Sequence, residues 1–148
     1  MNSVLIDAFL LIALCTAIHA GGLAVISRLP LRWSPASFST LTGRTRNLIF
    51  IAWCLIVLHL IEIAIWAGNY YWQKCFNDVE TSFYFSGVSY TTLGYGDVVL
   101  PRPWRLLGPL EGLTGILMCG LSTAFFFTAV LRIYRQAPSD PQNLTPNS

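Results

Sequence analysis

Thr91-Thr92-Leu93-Gly94-Tyr95-Gly96-Asp97 lies between two long apolar segments, directly after a short stretch, Val79 to Tyr90, that reads as a helix. Gly94 and Gly96 carry no Cβ, so each can take φ > 0 without a steric clash. A backbone that alternates hand in this way can turn successive carbonyls to one side and line a tube with oxygens.

Working outward, Val79 to Tyr90 is too short to cross a bilayer. At ~1.5 Å per residue it reaches about halfway through a hydrocarbon layer roughly 30 Å thick. Asp78 is placed to cap it, because a carboxylate there can accept from the first free N–H groups. The segment therefore predicts a re-entrant half-helix whose C-terminal, dipole-negative end favours a cation. Irregular backbone at membrane depth survives only when buried in protein or lining a wet cavity. That condition alone marks Thr91 to Asp97 as a functional candidate.

The flanks supply the membrane. Of 148 residues, 54% are hydrophobic and 11% charged, where a soluble domain carries about a quarter charged residues. Three segments reach the roughly 20 apolar residues a spanning helix needs: Val4 to Ile26, Leu48 to Ala67 and Leu106 to Ile133. The first has no basic n-region and too long an apolar run for a signal peptide, so it reads as a retained helix. Arg28, Arg32, Arg44 and Arg46 stand between the first two spans, and Arg132 and Arg135 close the third. Positive-inside bias puts both groups in the cytoplasm and the N-terminus outside; Arg102 and Arg105 dissent weakly. The expected organisation is an N-terminal transmembrane helix (1–27), a cytoplasmic loop (28–46), a domain of two spans with the half-helix and loop between them (47–135) and a disordered cytoplasmic tail (136–148) rich in Pro, Asn and Ser.

A net charge of +2 with no Lys/Arg run argues against nucleic acid. Cys15, Cys54 and Cys119 fall in apolar segments, only Cys75 in a polar loop, and no CxxC spacing suggests zinc. No nucleophile–base or metal-ligand constellation is visible, so no enzyme chemistry, cofactor or small-molecule substrate is expected.

TTLGYGD, preceded by a half-helix and flanked by spans, closely resembles the pore region of the potassium-channel family over about Arg46 to Arg135. The resemblance implies a filter in which the carbonyls of Thr92, Leu93, Gly94 and Tyr95 replace the hydration shell of K+, with Gly96 completing the turn. The Thr92 hydroxyl would form the innermost site, and the side chains of Leu93 and Tyr95 would point away from the axis and brace the backbone. Four chains would close the ring, so a homotetramer in a lipid bilayer is implied. Asp97 and Tyr84 stand where the family places an aspartate and the aromatic residue bonded to it; Thr91 precedes the filter threonine. Two positions depart from the pattern. Leu93 replaces the usual Val or Ile. Val88 stands where some members carry a glutamate, so a carboxyl–carboxylate pair behind the filter is absent.

The resemblance makes the expected fold all-α, with three transmembrane helices, a re-entrant pore helix and a filter loop. The expected function is passive, K+-selective conduction across a cell membrane. A weakly selective cation pore and a non-conducting accessory subunit remain as alternatives. Glu111 has two readings: an acceptor for pore-helix hydroxyls behind the filter, or a hydrated acid near the outer interface. His59 and Glu62, at i, i+3, read as a structural pair or a proton sensor, and His19 as a helix-contact residue. Gly112, Gly115 and Gly120 suit close helix packing; Gly115 and Gly120 are also hinge candidates. Phe125, Phe126 and Phe127, with Phe126 foremost, are candidates for an apolar constriction at the inner mouth. No span carries arginines at every third position, so a voltage-sensing helix is not expected.

Overall fold

The computed structural model describes residues 2–29 and 40–135. The expected tail at 136–148, and most of the expected loop between the first two spans, Arg32 included, lie outside the described residues. Four α-helices make up the fold of the described residues: α1 (Asn2–Arg28), α2 (Leu41–Trp72), α3 (Val79–Tyr90) and α4 (Leu107–Arg135). A short 3-10 turn, Arg102–Trp104, precedes α4. No strand occurs among the described residues. Helices α1, α2 and α4 are long and apolar enough to cross a membrane.

Local chemistry sets the helix ends. Thr40 accepts from the Gly43 amide at 3.2 Å, so α2 begins at Leu41 rather than Leu48 and carries Arg44 and Arg46 within helix instead of loop. Its far end closes with Cys75 N–H donating to Tyr70 C=O and Lys74 N–H to Tyr71 C=O, at 2.9 and 3.1 Å. Lys74 takes φ 55° there, the left-handed position usually given to glycine. Asp78 caps α3 as its position predicts: Oδ1 accepts from the Thr81 amide at 2.7 Å, and Oδ2 from the Thr81 hydroxyl at 2.9 Å. These bonds hold the exposed Asp78 carboxyl below the usual carboxylate range.

Two cores run along the bundle. The one around α3 joins Ala8, Cys15, Trp66, Tyr70, Tyr90 and Leu107. The one at the opposite end joins Ile26, Ile51, Leu55, Ala129 and Ile133. Helix α3 rests on α2 and α4, while α1 lies against the same two helices. Gln73 at the end of α2 donates to Asp7 of α1 at 3.2 Å, which fixes the two helices antiparallel. Outside these cores the surface is apolar: Phe9, Leu10, Val25, Trp53, Val57 and Ile116 are all exposed. Such a continuous apolar surface suits lipid and not water.

Candidate functional site

Helix α3 stops because its last carbonyls are taken by the chain that follows. Thr91 N–H reaches Gly87 C=O, Thr92 N–H reaches Ser89 C=O, and both Leu93 and Gly94 N–H reach Val88 C=O, at 3.0 to 3.3 Å. The Thr91 hydroxyl also donates to Gly87 C=O at 2.6 Å. Val88 thus serves through its backbone, as the anchor that starts the loop.

Beyond that anchor the backbone alternates. Gly94 and Gly96 have φ of 57° and 76°, as expected, and Thr92 joins them at 62°. Every second residue from Thr92 to Gly96 is left-handed, while Leu93 and Tyr95 between them are not. Thr92 has a Cβ and bears strain of about 1–2 kcal/mol for its share. The sequence marked the glycines; nothing in a threonine signals a positive φ.

All of Thr91 to Asp97 is exposed, including Leu93 at 58% and Tyr95 at 67%. More than half of each of these two side chains is left uncovered by the described residues. An open cavity of about 790 Å³ lies beside the loop, lined by Phe85, Ser89, Thr92, Gly94, Gly112 and Leu113 among others.

The loop is tied at its far end. Tyr84 Oη donates to Asp97 Oδ2 at 2.6 Å, and Asp97 Oδ1 accepts from Val98 N–H at 3.0 Å. The tyrosine bond, more than the amide, holds the Asp97 carboxyl below its usual range. The same bond pushes the Tyr84 phenol up.

Behind α3, Glu111 is fully buried and accepts from Tyr70 Oη at 2.7 Å and Ser86 Oγ at 2.5 Å. Glu111 is thus sealed among the helices and accepts from a hydroxyl of α3. Ser86 Oγ also lies 2.9 Å from Ile63 C=O. One carboxylate therefore joins α2, α3 and α4. Two glycines of α4 face the end of α3. A Cβ at Gly115 would overlap the Tyr90 carbonyl oxygen, and one at Gly112 would come within 3.2 Å of Ser89 C=O. A Cβ at Gly120 would meet nothing within 4 Å. Packing therefore accounts for Gly115 but not for Gly120.

Phe126 is turned inward: with Phe125 it packs half-buried against the Ile26–Ile51–Leu55–Ala129–Ile133 core. Phe127 is 61% exposed and shares the open stripe of α4 with Leu117, Gly120, Ala124 and Leu131. Three consecutive phenylalanines cannot reveal from sequence which one faces out.

A second buried network sits one layer further back. Glu62 lies 2.8 Å from His19 Nδ1 and also accepts from Tyr90 Oη. Its expected partner His59 is farther, at 3.7 Å, and bonds Tyr90 Oη at 2.9 Å instead. His19 Nε2 reaches Ser122 Oγ at 3.2 Å. The i, i+3 spacing exposed the His59–Glu62 neighbourhood, but the tighter His19–Glu62 contact spans 43 residues and has no sequence signal.

Among known proteins, no curated relative and no solved structure matches this chain. A family model described as ion channel matches residues 48–132, more than half of its length, covering α3, the alternating loop and most of α2 and α4. The chain belongs to the ion-channel family.

Proposed function

We propose that the chain is one subunit of a potassium-selective channel, in which four copies bring their 91–97 loops around a common axis. The observation that carries this reading is the alternating left-handed φ at Thr92, Gly94 and Gly96. Alternation of hand lets the carbonyls of Thr92, Leu93, Gly94 and Tyr95 face one side, as a ring that replaces the hydration shell of K+ must. K+ is the cargo, and the mechanism is passive. Helix α3 enters from outside as a half-helix and returns through the loop, with its C-terminal end aimed at the cation path.

The exposure of Leu93 and Tyr95 favours the tetramer. Exposed irregular backbone at membrane depth needs protein around it, and the chain leaves more than half of each of these two side chains uncovered. Neighbouring copies would fill the adjoining cavity and brace both residues. Asp97 and Tyr84 clamp the outer end, and Glu111 holds α3 from behind. Arg44, Arg46, Arg132 and Arg135 favour a cytoplasmic face at the start of α2 and the end of α4, with the N-terminus outside. Gly120 is the better-placed hinge and Phe127 the better-placed constriction, since both stand on the open stripe of α4.

Purified protein in liposomes tests the reading. Wild type is expected to pass K+, and Gly96→Ala to abolish that flux while leaving assembly intact, since alanine at φ 76° costs on the order of 1–2 kcal/mol per chain. Undiminished K+ flux from Gly96→Ala would overturn the filter assignment.

A further inference from the structure

The cluster at the centre of the bundle has a donor set that the channel reading does not use. We propose that His19, His59 and Glu62 bind a divalent transition-metal ion of the zinc class. Each offers one ligand atom, and the three atoms lie within 4.8 Å of one another. His19 Nδ1 is 2.8 Å from Glu62 Oε1, and His59 Nδ1 is 3.7 Å from Glu62 Oε2. The two imidazole centroids are 5.3 Å apart. Tetrahedral zinc with bonds of about 2.0–2.2 Å sets its ligand atoms roughly 3.4 Å apart. The two separations, each to a different oxygen of Glu62, fall on either side of that value, and the whole set lies within 4.8 Å, so the side chains would rotate to converge on one ion.

Two imidazoles with one carboxylate select zinc-like ions over Mg2+, Ca2+ or K+, which prefer all-oxygen shells. The outer partners are already in place. Ser122 Oγ holds the distal nitrogen of His19 at 3.2 Å, the arrangement by which a metal-ligating imidazole is oriented. Tyr90 Oη contacts Glu62 and can support the carboxylate, while an ion on His59 Nδ1 would displace the 2.9 Å contact between that nitrogen and Tyr90 Oη. A carboxylate with no solvent exposure in an apolar bundle is costly, and a cation at this point offsets the cost. The side chain of His59, 18% exposed where Glu62 and His19 are sealed, is the ligand nearest the surface.

The ion would tie α1 to α2 directly, and α3 and α4 to them through Tyr90 and Ser122. This assigns α1, which lies outside the matched region, a place in the assembly. Because Tyr90 closes α3 just before the loop, occupancy is also placed to alter ion flux; that consequence alone rests on the channel reading.

Binding can be measured without any flux. Tag-free full-length protein in detergent, stripped with chelator, is titrated with Co2+ and followed by its visible d–d absorption, then competed with Zn2+. The expected result is one Co2+ per chain with the strong bands of a four-coordinate nitrogen–oxygen site, lost in His19→Ala and in His59→Ala. Ser122→Ala, which removes only the outer partner, is expected to weaken binding about 10–100-fold. His59 is the most exposed ligand, so His59→Ala serves as the deciding variant if His19→Ala does not fold. Absence of saturable binding, binding that survives His59→Ala, or thiolate charge-transfer bands signalling cysteine ligation would each overturn the proposal. K+ flux with and without Zn2+, compared between wild type and His59→Ala, then reads the consequence separately.

Discussion

Replacing Gly115 by alanine should force apart the two helices on which the loop depends. The added methyl would overlap the Tyr90 carbonyl oxygen, lie 2.8 Å from its carbonyl carbon and 3.2 Å from Tyr90 Cδ1. Ordinary carbon contacts are about 3.5–4.0 Å, so the end of α3 must retreat by roughly 1 Å. Overpacking of this kind costs about 1–3 kcal/mol. Alanine returns roughly 1 kcal/mol of helix propensity relative to glycine, which blurs a single measurement. Gly120→Ala removes that ambiguity, because its methyl meets nothing within 4 Å and it gains the same propensity. The difference between the two variants therefore isolates the contact, at about 1–3 kcal/mol. Denaturant titration of both proteins in mixed micelles measures it. Liposome flux should fall for Gly115→Ala, since Tyr90 and hence Thr92 are displaced. Equal stability of the two variants would refute the close approach of α3 and α4.

The other expectations follow from named contacts. Glu111→Ala strips the acceptor from the buried Tyr70 hydroxyl and should cost about 1–3 kcal/mol for leaving it unpaired, while Ser86 keeps Ile63 C=O as its acceptor; Glu111→Gln keeps an acceptor and should cost less in the same titration. The Tyr84 bond depresses the Asp97 carboxyl, so the clamp is fully present above an ordinary aspartate value of about 4 and is lost as external pH falls through the lower folded value. K+ currents should therefore be insensitive to external pH between about 7 and 5, and Tyr84→Phe should move any acid-induced loss to higher pH; an unmoved acid limb in the variant would uncouple the pair. Moving one charge through the field is worth ~2.3 kcal/mol per 100 mV, and the spans offer no charge array, so open probability should change only modestly with voltage in planar bilayers. Phe127→Ala should raise it more than Phe126→Ala.

Much of this was legible before the structure. Asp78 fixed the start of α3, and the two glycines required by a left-handed backbone fixed the loop after it. Length and hydropathy fixed three spanning segments, and the Tyr84–Asp97 bond followed from resemblance to the potassium-channel family. What stayed hidden depends on packing between distant segments. His19 meets Glu62 only because α1 crosses α2 at that height, so the residue read as a helix contact is a buried partner of the acid. Thr92 is left-handed because Val88 C=O captures the next two amides, a constraint its own side chain does not announce. Phe126 turns inward because α2 and α4 pack along that stripe, which periodicity cannot resolve within an unbroken aromatic run.

The central claim is that the 91–97 loop selects K+, and a bi-ionic recording tests it most directly. Purified wild-type protein is placed in a planar bilayer with K+ on one side and Na+ on the other. A carbonyl ring sized for dehydrated K+ predicts a current carried by K+ alone and a reversal potential displaced far toward the K+ limit. A reversal potential near zero under those conditions, with current flowing equally in both directions, would contradict it.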